Sequence, residues 1–354
     1  MDEQNKPEII AKPKKRRWPY ILLAILIAIT LLLGGTALAI YLSIGDMSPE
    51  QAPTIDAEPA EPERESEILD SYTVRRNGKL YRYNDQVVTL LLLGVDQNEP
   101  DIDEGSTDSG ICADVILLAA IDKKNNRVTF YTVSRDSMCD FTITDPESGG
   151  TLNVNGQLAL TYTYGDGGKT SCEMTRAAVS QLLFDLPIYS CSALYIDGIG
   201  KINDAVGGVT VTILEDIRYG YSAMRIGEEV TLNGRMAMSY IRTREHTEVG
   251  NLKRMERQKQ YFKALLQKAL SIVREDYMSV LDIYDAAKSE VITDLSVGDI
   301  LYLASRAAGM EISGEVISVP GEVRLSEDNY VEYIIDRDAL TDIIMSIYYE
   351  EVRE

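Results

Sequence analysis

Apolar positions fall into three kinds of run along the chain, and each kind predicts a different element. Residues 18–42 form one long run in which Ile21-Leu22-Leu23-Ala24-Ile25-Leu26-Ile27-Ala28-Ile29 carries no charge, the length of a bilayer-spanning helix. Val87–Asp96 and Ala113–Ile121 are shorter continuous runs and predict strands buried on both faces. Apolar residues spaced by three and four predict helices over 173–184, 202–206, 234–239, from Asn251 to about Val273, and over 279–287, 297–308 and 339–349. Alternating or β-branched stretches predict strands over 127–133, 192–199, 209–214, 315–319 and 331–335, and Tyr72–Tyr83 predicts a hairpin about Asn77-Gly78. The Tyr-, Gly- and Asn-rich residues 153–168 read as a loop. This mixture, without an internal repeat, predicts an α/β fold with a central mixed β-sheet flanked by helices.

Charge orders the chain around the apolar run. Lys12, Lys14, Lys15, Arg16 and Arg17 precede it, and Trp18, Tyr20 and Tyr41 flank it as aromatic anchors, which places the basic tail in the cytoplasm and the rest outside. The run exceeds the apolar core of a cleaved signal peptide and lacks a clear small-residue cleavage site. From Gly45 to Asp70 the chain is dominated by Pro, Ala, Asp, Glu and Ser, too polar to build a core. The expected organisation is a cytoplasmic tail at 1–17, a transmembrane helix at 18–42, an acidic linker at 43–70, and an extracellular domain at 71–354. A net charge of −21 excludes nucleic acid as a partner. The single histidine, His246, excludes metal sites built from several histidines and disfavours a Ser-His-Asp triad.

Against that acidic background, arginines gather between Ser239 and Gln260. Tyr240, Arg242 and Arg244 alternate with Ile241 and Thr243, so an extended strand would project both guanidinium groups from one face. Asn251 is an expected N-cap, with Arg254, Arg257 and Gln258 sharing the face of the helix it opens. Arginines at a helix start suit an oxyanion, and several together suit a diphosphate.

Acids supply the complement. Asp96 closes the first buried strand, and a turn between Lys124 and Asn125 sets Asp114 opposite Arg135 in the next hairpin. Asp96, Asp114, Arg135, Arg242, Arg244, Arg254 and Gln258 therefore make an inventory of acids and arginines without a nucleophile, which is equipment for phosphoryl transfer. Two carboxylates can hold one Mg2+ through oxygen while arginines hold diphosphate oxygens.

Six stretches carry a resemblance to a known family. They are Leu91-Leu92-Leu93-Gly94-Val95-Asp96, the strand opening at Asp114, Ser134-Arg135-Asp136, Asn203-Asp204-Ala205-Val206-Gly207-Gly208-Val209, Tyr240-Ile241-Arg242-Thr243-Arg244 and Arg254-Met255-Glu256-Arg257-Gln258. In that order, within a motif core at 87–270 followed by an extension at 271–354, the chain resembles the LytR-CpsA-Psr glycopolymer phosphotransferases. The resemblance implies a Mg2+-dependent, membrane-anchored enzyme of cell-wall assembly. It would move an anionic glycopolymer, of the teichoic acid or capsular polysaccharide kind, from a polyprenyl diphosphate carrier in the membrane lipid onto peptidoglycan. Carried over by position, Asp96 and Asp114 would bind the metal, and Arg135, Arg242, Arg244, Arg254 and Gln258 the diphosphate. The chain departs from the family pattern at Cys112, Thr151 and Asn251, where Arg, Lys and an acid are common.

Two alternatives stay open: a hydrolase of lipid-linked diphosphates using the same residues, and a non-catalytic wall-associated sensor. The four cysteines all lie in the exported part. The hairpin register brings Cys112 and Cys139 to within about two residues of one another, so that pair is the expected disulfide. Cys172 and Cys191 stand at opposite ends of a predicted helix, whose rise of about 1.5 Å per residue would keep them apart.

Overall fold

The computed structural model describes residues 51–55, 72–96, 111–144, 149–220, 222–243, 248–326 and 330–352. The span expected at 18–42 lies outside them, and among the described residues no helix is long and apolar enough to cross a membrane. The chain opens with a hairpin, β1 (Thr73–Arg76) and β2 (Lys79–Tyr83), whose turn residues Asn77 and Gly78 both have positive φ, 51° and 73°. That is the turn whose twist matches paired strands.

The two continuous apolar runs become β3 (Val87–Asp96) and β4 (Cys112–Asp122), the centre of the main sheet. After β5 (Arg127–Val133) a separate hairpin, β6 (Met138–Thr144) with β7 (Thr151–Gln157), leads to the short α1 (Leu160–Thr163), α2 (Lys169–Leu182) and β8 (Ser190–Tyr195). Then come α3 (Ile196–Ala205), β9 (Val209–Thr212), β10 (Ile217–Tyr219), β11 (Ser222–Met224), β12 (Glu229–Leu232), α4 (Gly234–Arg242) and α5 (Glu248–Glu275). The chain ends through α6 (Ser279–Ala287), β13 (Val291–Thr293), α7 (Val297–Ala307), β14 (Glu311–Ser318), β15 (Gly321–Leu325), β16 (Val331–Ile335), α8 (Arg337–Tyr348) and β17 (Tyr349–Val352).

The main sheet has the order β13-β8-β3-β4-β5-β14. β3 runs parallel to β8 and β14 parallel to β5, while the other neighbours are antiparallel, so the sheet is mixed as expected. Both faces are covered. Leu91, Leu93, Ile116, Leu118 and Tyr131 pack with α2 and α8, and Leu90, Leu117, Ala119 and Phe130 face Leu266, Tyr302 and Leu303 from α5 and α7. That double burial is why β3 and β4 are apolar throughout rather than alternating. A second core, built on Val209, Val211, Leu232, Ala237, Tyr240, Ile241 and Tyr261, joins α4 and α5 to the small β9–β12 pair.

Several expectations are corrected. Residues 153–168 hold β7 and α1 rather than a loop. The strand expected at 192–199 gives way to α3 at Ile196, so the helix expected at 202–206 starts six residues earlier. Tyr240, Ile241 and Arg242 lie in a helix and not on a strand. Their period of two is overridden by Ala237, Tyr240 and Ile241, buried at the spacing of a helix face, and by Asn233, whose side chain caps the helix by accepting from Met236 N at 3.0 Å. Asn251 is not an N-cap, because α5 already begins at Glu248. Cys112 and Cys139 are unbridged. The chain leaves β5 through a turn at Ser134–Ser137, and β6 pairs with β7 rather than continuing beside β4, which carries Cys139 into another sheet.

Candidate active site

All the site elements meet where the parallel strands β3 and β8 end, the edge at which open α/β sheets bind ligands. Asp96 is the last residue of β3. Across the sheet, the β3–β4 register shifts between Gly94 and Val95, so that Gly94 faces Val115 and Val95 faces Ala113. Asp114 is the extra residue of this bulge. Asp114 and Val115 are both exposed although they are consecutive, so the bulge turns Asp114 out of the alternation. Gly94 makes the room: a Cβ there would stand 3.0 Å from Val115 Cβ.

β4 and β5 stay in register as far as Ile116 opposite Val133, and two residues beyond that pair on each side Asp114 and Arg135 form an ion pair, the partners the sequence predicts. Arg135 Nε also lies 3.6 Å from Asp136 Oδ1, and its backbone carbonyl accepts from Ala159 N at 2.9 Å. Asp114 is 41 % exposed at its side chain, so its dehydration is partial. That dehydration is still the first cause raising its carboxyl above the ordinary value; Arg135 and Arg254 pull it down, and Asp96 and Asp136 push it up. Four charged groups thus act on Asp114. Arg254, on α5, lies close enough for its charge to act on Asp114.

Arg242 ends α4 and reaches back over the sheet edge. Its guanidinium donates to Asp96 Oδ1 at 3.1 Å and to Asp197 Oδ1 at 3.4 Å. Asp197, the second residue of α3, was not picked out by sequence reasoning; its signal is its place at a strand-to-helix junction, directly after the strand parallel to β3. Arg244 falls among residues outside those described.

The motif residues around these groups prove to be scaffold. Asn203 is fully buried, donates to Leu232 O at 2.8 Å and accepts from Tyr261 OH at 3.0 Å. Asp204 Oδ1 accepts from Gly234 N at 2.6 Å, and Gly234 packs so closely on Gly200 that a Cβ would collide with Gly200 O. These contacts fix the start of α4. Arg257 fixes its end. It is 1 % exposed, and it donates to Tyr240 O at 2.7 Å and to Thr243 O while ion-paired with Glu215. Gln258 Nε2 donates to Ile241 O at 3.1 Å. Three carbonyls at the last turn of α4 are therefore satisfied from α5, on either side of Arg242. So Arg257 stands apart from the exposed cluster, and Gln258 touches the backbone that carries Arg242.

The donor chemistry fits a divalent cation. Mg2+ takes one or two carboxylates and completes its shell with water and substrate phosphates. Asp96 and Asp114 offer two carboxylates, and Asp96 lies close enough to hold the Asp114 carboxyl up. Among the described residues no group of three or more His, Cys, Asp or Glu gathers as a closed cage.

Known proteins share this sequence pattern and fold. The chain is 27 % identical over 315 residues to the polyisoprenyl-teichoic acid–peptidoglycan teichoic acid transferase TagU of Oceanobacillus iheyensis, covering 87 % of this chain and 89 % of that one. It is 25 % identical over 256 residues to the Bacillus subtilis protein of the same name, covering 72 % and 75 %. The fold matches the crystal structure of protein gbs0355 from Streptococcus agalactiae with a TM-score of 0.58 at 23 % identity, over 74 % of this chain and 86 % of that one. It matches B. subtilis TagV with a TM-score of 0.53 at 20 % identity, over 74 % and 96 %. The LytR_cpsA_psr family model spans residues 51–346, and the chain belongs to that family.

Proposed function

We propose that this site transfers an anionic glycopolymer, as its phosphoryl ester, from a polyprenyl diphosphate to a hydroxyl of peptidoglycan. The observation that supports this most is the crossed pairing at the sheet edge, Asp96 with Arg242 and Asp114 with Arg135, in which all four side chains remain 33–41 % exposed. Acids and forked cations held apart from bulk packing but open to a ligand suit a diphosphate.

In this reading Asp96 and Asp114 hold a Mg2+ ion, which when bound neutralises diphosphate charge. Arg135 and Arg242 grip the diphosphate oxygens, with Arg244 and Arg254 beside them and Gln258 at the edge. An acceptor hydroxyl attacks the glycan-bearing phosphorus, the P–O bond to polyprenyl phosphate breaks, the hydroxyl proton is released, and a phosphodiester remains on peptidoglycan. The arginines strengthen their hold as charge builds on the departing phosphate, which lowers the barrier rather than merely tightening binding. The domain would act outside the cell, tethered by residues 18–42.

Product analysis tests the reading. Full-length protein, a polyprenyl diphosphate-linked glycopolymer, peptidoglycan and Mg2+ should yield glycan joined to peptidoglycan by phosphodiester, and chelation should abolish it. Release of free phosphoglycan at an unchanged rate with and without peptidoglycan would identify a hydrolase. No turnover under any of these conditions would leave a sensor.

A further inference from the structure

Cys172 lies in the first turn of α2, and Cys191 is the second residue of β8. Helix rise alone would hold them at opposite ends of α2, yet the return path closes the gap. Ser180 Oγ donates to Leu186 O at 2.8 Å and Leu186 N donates to Ser180 O at 3.2 Å, so at Leu186 the chain is still beside Ser180. From Leu186 to Cys191 an extended chain covers roughly 16 Å. From Ser180 back to Cys172 the helix rises only about 12 Å. The strand therefore returns Cys191 to the first turn of the helix.

There the two side chains lie in the same buried cluster, close enough for each thiol to act on the other. Both are buried, 5 % and 2 % exposed, in the core between α2 and the sheet. One carboxylate ties β8 to α2 beside them. Asp294 accepts from Ser190 Oγ and from Cys191 N at 3.1 Å on β8, and from Arg176 at 2.9 Å one turn along α2. The other cysteines are placed differently: Cys112 Sγ shares a hydrogen bond with Thr163 Oγ1 at 3.3 Å, and Cys139 faces Gly156 in the β6–β7 hairpin.

We propose that Cys172 and Cys191 are joined by a disulfide that staples the first turn of α2 to β8. The bond forms by exchange with a disulfide-bearing donor. A Cys172 thiolate attacks one donor sulfur, and the other leaves as a thiolate. Cys191, deprotonated, then attacks Cys172 Sγ in the mixed disulfide and expels the second donor sulfur. Two electrons and two protons pass to the donor, which departs as two thiols. Either thiol can take the first role, because the donor reaches the pair only while α2 is undocked and neither thiol then feels the other. Exchange takes place during folding, before α2 docks and buries the pair. In the cell the oxidant is supplied by the extracellular placement proposed above, on which this inference rests for that supply alone.

The test uses the full-length protein in detergent, unfolded with reductant and refolded in a buffer of glutathione and glutathione disulfide. Free thiols are then alkylated, and the chain is digested with trypsin without reduction. Cleavage after Lys169, Arg176 and Lys201 leaves Cys172 in peptide 170–176 and Cys191 in peptide 177–201. Those two peptides should run as one species that separates on reduction, with Cys112 and Cys139 alkylated. The oxidised protein should melt on the order of 5–10 °C above its reduced form, and Cys172→Ala should show no such redox-dependent shift. Alkylated Cys172 and Cys191 in the refolded protein, or Cys172 joined to another cysteine, would overturn the proposal. Alkylation in whole cells separates the two claims: thiols that close in vitro but are free in cells keep the staple and count against the extracellular placement.

Discussion

Arg242 and Arg257 stand fifteen positions apart on consecutive helices, and they do opposite things with the same side chain. Arg242 is 34 % exposed and, among the described residues, pairs with the carboxylates of Asp96 and Asp197 at an edge open to solvent. Arg257 is 1 % exposed, sits 5.8 Å from the Tyr240 ring centroid, and meets carbonyls and the half-buried Glu215. The first pairing is loose enough to be exchanged for a ligand's oxygens. The second cannot be exchanged without leaving a buried charge unpaired. A run of arginines is thus two systems, a working edge and the clamp that holds the end of α4 behind it.

Breaking the clamp should have the largest effect. Arg257→Met leaves Tyr240 O and Thr243 O without their donor and Glu215 with Lys253 alone, 3.4 Å away, and should cost about 3–5 kcal/mol of stability in chemical denaturation. On the working edge, Asp114→Ala should lower transfer by about 10²–10³-fold while the melting temperature stays within about 2 °C. Equal losses of stability in both variants would erase the distinction. Gly94→Ala sharpens it, because the added Cβ would press on Val115 and disturb the bulge that aims Asp114. It should cost about 1 kcal/mol of stability but roughly tenfold in transfer, since small displacements at reacting groups are amplified. The smallest effect belongs to an exposed pair away from both systems, Arg324 with Glu322. Arg324→Gln should leave turnover unchanged and the melting temperature within about 1 °C.

Where local pattern decided the outcome, the sequence was legible. The apolar runs of β3 and β4 gave the sheet centre, and Lys124-Asn125 fixed the register that joins Asp114 to Arg135. The bulge at Asp114 was not legible, because it depends on how β3 and β4 settle against one another rather than on either strand. Around Tyr240 two periods overlapped. The buried spacing Ala237, Tyr240 and Ile241 belonged to a helix, but Tyr240, Arg242 and Arg244 also alternate, and only the packing of α4 on α3 and α5 resolved the conflict. Arg257 was placed on the same face as the ligand arginines because its partners, Glu215 and the carbonyls of Tyr240 and Thr243, come from elements whose approach no local spacing reports. Cys172 and Cys191 follow the same rule, since helix rise separates them along the chain and only the returning strand β8 brings them together.

The most direct test of a working edge distinct from its clamp is kcat for Arg242→Lys in the transfer assay, measured beside its melting temperature. Lysine keeps the charge but loses the planar fork that spans two oxygens. We expect kcat to fall at least about tenfold with KM changed little and stability unmoved. A variant that turns over like the wild type would mean that Arg242 is only a surface charge beside Asp96 and Asp197, and the assignment of this edge as a diphosphate site would fail with it.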